Sequence, residues 1–92
     1  MSLQTLSEVD DAIARATALP MSKPSQTRIR AATLADLYEI RAELFEAAGR
    51  AAPDSVPGIY VSACEYAALK ARETASFFRG QAESRRVKRA TR

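Results

Sequence analysis

Residues 27–44 read "TRIRAATLADLYEIRAEL", and the fold turns on how that stretch is divided. Thr27 to Ala31 alternates polar and apolar residues, the period of a strand edge, with Ile29 the one side chain large enough to bury. From Thr33 the pattern changes to helical spacing. Thr33 with Asp36 three residues later is a capping-box variant, so a helix is expected from there to Ala48, with Gly49 as a left-handed stop. At about 100° per residue its two faces separate: Leu34, Leu37, Ile40, Leu44, Phe45 and Ala48 on one, the acidic ridge Asp36, Glu39, Glu43 and Glu46 on the other. Arg41 projects from within the apolar arc, where a guanidinium must snorkel to the edge or meet a carboxylate.

Upstream, Thr5-Leu6-Ser7-Glu8 is a capping box that opens a first helix. Leu6, Val9, Ile13, Ala16 and Leu19 form one narrow apolar stripe, and Pro20 should end it. The prolines and serines of "PMSKPSQ", residues 20–26, predict a loop.

Downstream, "RAAPDSVPG", residues 50–58, reads as a proline-bearing hinge that closes a module spanning residues 1–49. A third helix is expected over residues 59–80, with "IYV", residues 59–61, either its opening or a short strand, its firm start at the Ser62–Glu65 capping box and its end before Gly80. Its apolar arc is broad: Ala63, Tyr66, Ala67, Ala68, Ala71, Ala75, Phe77 and Phe78 cover about half the circumference, so packing beyond its own domain is expected. Arg72, Arg79 and, if helix resumes past Gly80, Arg86 recur every seven residues on the remaining face. Residues 81–92 are read as a separate basic tail.

The whole chain has 92 residues, room for one modest core. Abundant alanine and an aromatic content of only 7% favour closely packed helices over a sheet sandwich, so the expected class is mostly α. That class here means two antiparallel helices joined by a loop with a short strand or minimal hairpin, then a long third helix and the tail. No apolar run reaches the eighteen or so residues of a membrane span, and the first residues lack the pattern of a signal peptide, so a cytoplasmic setting or a particle assembled there is expected. One cysteine and no histidine leave no internal disulfide and no imidazole or thiolate metal cage, and Cys64 reads as a small core residue. Without histidine there is no Ser-His-Asp or Cys-His nucleophile, and the three glycines are isolated rather than gathered in a phosphate loop. The expectation is a protein that is not an enzyme and takes no cofactor.

The net charge of +3 conceals an asymmetry: residues 1–49 sum to −2 and residues 50–92 to +5. The acidic ridge reads as a solvated face or as a dock for a basic partner. For the tail cations Arg85, Arg86, Lys88, Arg89 and Arg92, and for the line Arg72 and Arg79, three readings stand: a solvated face, phosphate contact, or an acidic groove on a partner. Opposite charge on different elements favours head-to-tail contacts between copies, which close into rings when the rotation permits.

The order of "LSEVDDAIARATAL", a loop, "TRIRA" and the threonine-capped "TLADLYEIRAELFEAAG" resembles the small head-to-tail joining proteins of tailed bacteriophages, the lambda-type W protein family, over about residues 5–49. The resemblance implies a virion protein at the head-tail junction, present in the host cytoplasm during assembly. It implies a ring, of twelve copies if it follows the portal, that binds the portal protein and other neck or tail-completion proteins. Thr33, Leu34, Leu37, Ile40 and Leu44 would be packing residues of the second helix, and Arg28 and Arg30 would fall in the hairpin. The charged and aromatic residues Asp36, Glu39, Arg41, Glu43, Glu46, Tyr66, Phe77 and Phe78 are the expected subunit or portal interface, and the basic tail is a candidate for non-specific DNA phosphate contact. The family has no template for residues 50–92 and no catalytic residue to carry over. The rival reading is a small helical nucleic-acid-binding module that uses its basic C-terminal tail; a cellular adaptor using the third helix as a groove ligand is another.

Overall fold

The computed structural model describes residues 4–90, with side chains through Glu83. It is mostly α, as expected, with three helices: α1 Leu6–Thr17, α2 Pro24–Ala51 and α3 Gly58–Ala90. Helix α1 starts as its sequence predicts. The Thr5 hydroxyl accepts from the Glu8 N–H at 3.1 Å, and the Glu8 carboxylate accepts from the Thr5 N–H at 3.0 Å. Its end comes at Thr17, ahead of Pro20, where the Ala18 N–H is taken up by carbonyls of the last turn.

The stretch 27–31 is helix, not strand. Helix α2 begins at Pro24, whose fixed φ suits a first helical position, and the Gln26 side chain reaches back to accept the Lys23 N–H at 3.0 Å. Thr27 then faces inward at 8% exposure and Ala31 at 0%, while Ile29, the side chain a strand would have buried, is 60% exposed. A longer register overrides the local alternation: Thr27, Ala31, Leu34, Tyr38, Ala42, Phe45 and Gly49 recur at three and four residues over the length of α2. Thr33 is consequently no cap but a mid-helix residue, its hydroxyl donating to the Ile29 carbonyl at 2.8 Å.

Gly49 does not stop α2 either. Among the described residues no glycine has positive φ, and the helix continues to Ala51. A Cβ at Gly49 would stand 3.4 Å from the Cβ of Cys64, so Gly49 lies against α3 where a methyl group would just be in contact. Ala52, extended as the residue before Pro53 must be, ends the helix. The expected hinge contracts to a short turn in which the Val56 N–H donates to the Pro53 carbonyl at 2.9 Å. Helix α3 starts at Gly58, a turn before the expected Ser62, and runs through Gly80 without interruption. Residues 81–90 therefore belong to α3, and Ala82, at 7% exposure, is part of the core. The boundary expected near residue 49 coincides with no break in packing, because Ala42 of α2 shares one apolar cluster with Ala68 and Ala71 of α3.

Helices α2 and α3 run antiparallel over most of their length, with Cys64, Ala68, Ala71, Ala75 and Ala82 forming a small-residue seam against α2. The alternating spacings of four and three repeat the seven-residue period of a coiled coil. Helix α1 packs on one flank of this hairpin, where Ala16, Leu34 and Leu37 are buried together and Ala12, Ile13, Tyr38 and Phe78 close over them. The product is elongated, 57 × 25 × 18 Å with a radius of gyration of 15.8 Å, against about 12 Å for a compact domain of this length.

Candidate interaction surface

The two flanks of the α2–α3 seam differ chemically. On one, α1 and the aromatic pair Tyr38–Phe78, centroids 6.0 Å apart, cover the join. On the other, the acidic ridge of α2 meets the arginine line of α3. Arg72 donates from Nη1 and Nη2 to the two carboxylate oxygens of Glu46, each at 2.6 Å. Arg79 donates to Asp36 at 3.2 Å and to Glu39 at 3.5 Å. The hydrogen bonds from Arg72 hold the Glu46 carboxyl below its ordinary range, against a smaller opposing effect of desolvation, and the same pair raises the guanidinium. Antiparallel helices with arginines seven residues apart on one and carboxylates at matching intervals on the other bring these charges together in one chain.

That placement revises the sequence-derived argument from charge. The ridge and the arginine line, expected on separate surfaces that complement each other between copies, complement each other within the protomer. Glu43, by contrast, stands exposed. Arg41 does meet a carboxylate, that of Asp10 on α1, and its guanidinium lies 5.2 Å from the centroid of the Phe45 ring.

The broad apolar arc of α3 divides in two. Cys64, Ala68, Ala71, Ala75 and Ala82 face α2, and Phe78 packs on the α1–α2 core. Ile59, Tyr66 and Phe77 fall on the opposite side of the helix, 79%, 61% and 65% exposed, with Leu69 nearby at 54%. Phe77 and Phe78 touch edge to face at 5.3 Å, one outside and one inside. Lys70 lies over the Tyr66 ring at 5.4 Å, and its ammonium is stabilised first by the Glu73 carboxylate and then by Tyr66. Exposed large apolar side chains aligned along the outer face of a helix that already has its packing partner are the surface most suited to a second protein.

Of the expected tail contacts, Arg85, Arg86, Lys88 and Arg89 stand on the helical backbone of α3, and Arg92 lies outside the described residues. Among the described residues no group of histidine, cysteine or acidic side chains could hold a metal ion, and no helix is long and apolar enough to cross a membrane. Cys64 is a buried residue of the seam. Sequence reasoning missed the outward residues Ile59 and Leu69: Ile59 precedes the firm start expected at Ser62, and Leu69 lies within the expected helix but off its apolar arc. No family model, no curated protein and no solved structure matches this chain.

Proposed function

We propose that this protein is a structural connector of a tailed phage or phage-like particle, which joins its neighbours through the outer face of α3. The observation that carries this reading is the uncovered apolar row of Ile59, Tyr66, Leu69 and Phe77 on a helix whose other side is already sealed by α2. Such a row loses less by ordering on a partner, because the helix that presents it is already packed against α2. The particular kind of connector comes from the resemblance to head-to-tail joining proteins. With residues 27–31 helical, that resemblance rests on the succession of a capped α1, a short loop and a longer α2, without the hairpin. On this reading α3 lies against the portal or another neck protein, and copies form a ring that follows the portal's symmetry.

The decisive experiment is mass spectrometry of purified particles from the source culture, with this chain quantified against the major capsid protein. Recovery at a low fixed stoichiometry, on the order of one ring per particle, is expected. Its absence from particles, with the chain left in the soluble fraction, would overturn the connector reading.

A further inference from the structure

The antiparallel path of α2 and α3 gathers half of the chain's fourteen cations at one pole of the molecule. The open groove of about 590 Å³ lined by Arg28, Ile29, Ala32, Arg79, Ala82 and Glu83, among others, places the first turns of α2 beside residues 79–83 of α3. Beyond Glu83, α3 continues along the same direction toward the start of α2, carrying the four basic residues of 85–89. Lys23, Arg28 and Arg30, remote in sequence, therefore lie at the same end of the molecule as those four. Carboxylates are scarce there: residues 20–32 contain none, and residues 80–92 contain only Glu83. Asp36, at the edge of the groove, is engaged by Arg79.

We infer that this pole is a composite contact site for the phosphate backbone of a nucleic acid, with the start of α2 contributing as well as the end of α3. Seven cations against one carboxylate, drawn from two helix ends, make a local field that folding alone assembles. Phosphate backbone suits such a pole better than an acidic protein does. A duplex presents about one charge per 1.7 Å of axis in any register, whereas a protein partner would also need an apolar patch to dock on. The exposed large apolar side chains at this end, Leu19, Met21 and Ile29, are few beside the seven cations. This inference rests on the placement of charge, not on the connector reading, and it is tested on the isolated chain.

The experiment is fluorescence anisotropy of a short labelled DNA duplex of mixed sequence, titrated with the full chain between about 50 and 200 mM salt. Binding is expected with log K falling linearly in log salt. Lys23→Gln with Arg28→Gln should weaken binding about tenfold at the lowest salt and reduce the magnitude of the slope by about 2, since each phosphate contact contributes about 0.9. Arg50→Gln with Lys70→Gln, the same change in net charge away from the pole, should leave the slope unaltered. Lys23→Gln alone, at an exposed position, should remove about half the slope change and provides the test if the double variant unfolds. No duplex binding at the lowest salt overturns the inference, as does a slope indifferent to Lys23 and Arg28. Binding to polyglutamate in preference to the duplex would also overturn it and assign the pole to an acidic protein.

Discussion

Arg72 of α3 clasps Glu46 of α2 through both arms of its guanidinium, and the two bonds, 2.6 Å each, join residues 26 apart in sequence. Parallel bonds of this kind fix a planar fork against a planar carboxylate, which sets register as well as attraction. One turn-pair further along, Arg79 repeats the contact with Asp36 and Glu39. A seam of alanines offers little shape by which one register is told from the next, so these pairs, with the stack of Phe78 on Tyr38, favour the observed alignment.

The Glu46 carboxyl is held below its ordinary value chiefly by the Arg72 hydrogen bonds, which gives the pair a pH signature. A carboxylate with a lowered folded-state value contributes stability that is present above the unfolded value, about 4.3 for glutamate, and is lost as pH falls through the lowered one. Thermal melts between about pH 5 and pH 3 should therefore decline less steeply for Glu46→Gln than for the native chain. Equal slopes for the two proteins would count against the pair as a contributor in solution.

Gly80 lies inside α3 with nothing within 4 Å of where a Cβ would stand. Gly80→Ala should stabilise the protein by about 0.5 to 1 kcal/mol, the ordinary gain in a helix interior, measured by urea unfolding. A left-handed stop at this position would give the opposite sign. Gly49→Ala should gain less, because its new methyl group would meet the Cβ of Cys64 at 3.4 Å.

The alanine seam should resist enlargement. Ala75 is 0% exposed and Ala42 likewise, so Ala75→Leu or Ala42→Leu would wedge α2 and α3 apart at a cost of roughly 1 to 3 kcal/mol or more. The neighbouring exposed residue Ser76 provides the control, since Ser76→Leu should move the urea midpoint by less than about 0.5 kcal/mol equivalent.

Phe77 and Phe78 are adjacent yet should behave oppositely. Phe78 packs on Ala16, Leu34 and Leu37 and stacks on Tyr38, so Phe78→Ala should cost about 2 to 3 kcal/mol, somewhat less than for a fully buried ring. Phe77, 65% exposed, should be replaceable by serine with little loss of stability. On the connector reading Phe77→Ser combined with Tyr66→Ser leaves the melting curve near native while lowering incorporation into particles, which quantitative mass spectrometry would read.

The local signals with short reach were legible in the sequence. Thr5 and Glu8 make the capping box their spacing implies, Arg41 finds a carboxylate, and the alanine content foretells close helix packing. Other local readings gave way to tertiary context. The alternation in Thr27–Ala31 spans five residues, and a helix with Pro24 at its first position and Gln26 reaching back overrides it by burying Thr27 and Ala31 against its neighbours. Gly49 and Gly80 resemble stops because glycine tolerates a left-handed turn, but α2 and α3 bury continuous faces across both positions, and that burial outweighs the modest helix penalty of one glycine.

What the sequence determined by itself, then, was the helical class, the first cap and the inventory of charges, because each depends on residues within a turn or two of one another. Where the charges act was decided only in three dimensions. An antiparallel hairpin turns the acidic ridge and the arginine line into internal partners, leaves Ile59, Tyr66, Leu69 and Phe77 facing outward, and carries Lys23, Arg28 and Arg30 to the end where α3 finishes. Pairings across 26 to 43 residues depend on the register in which two helices meet, and no spacing within either helix encodes that.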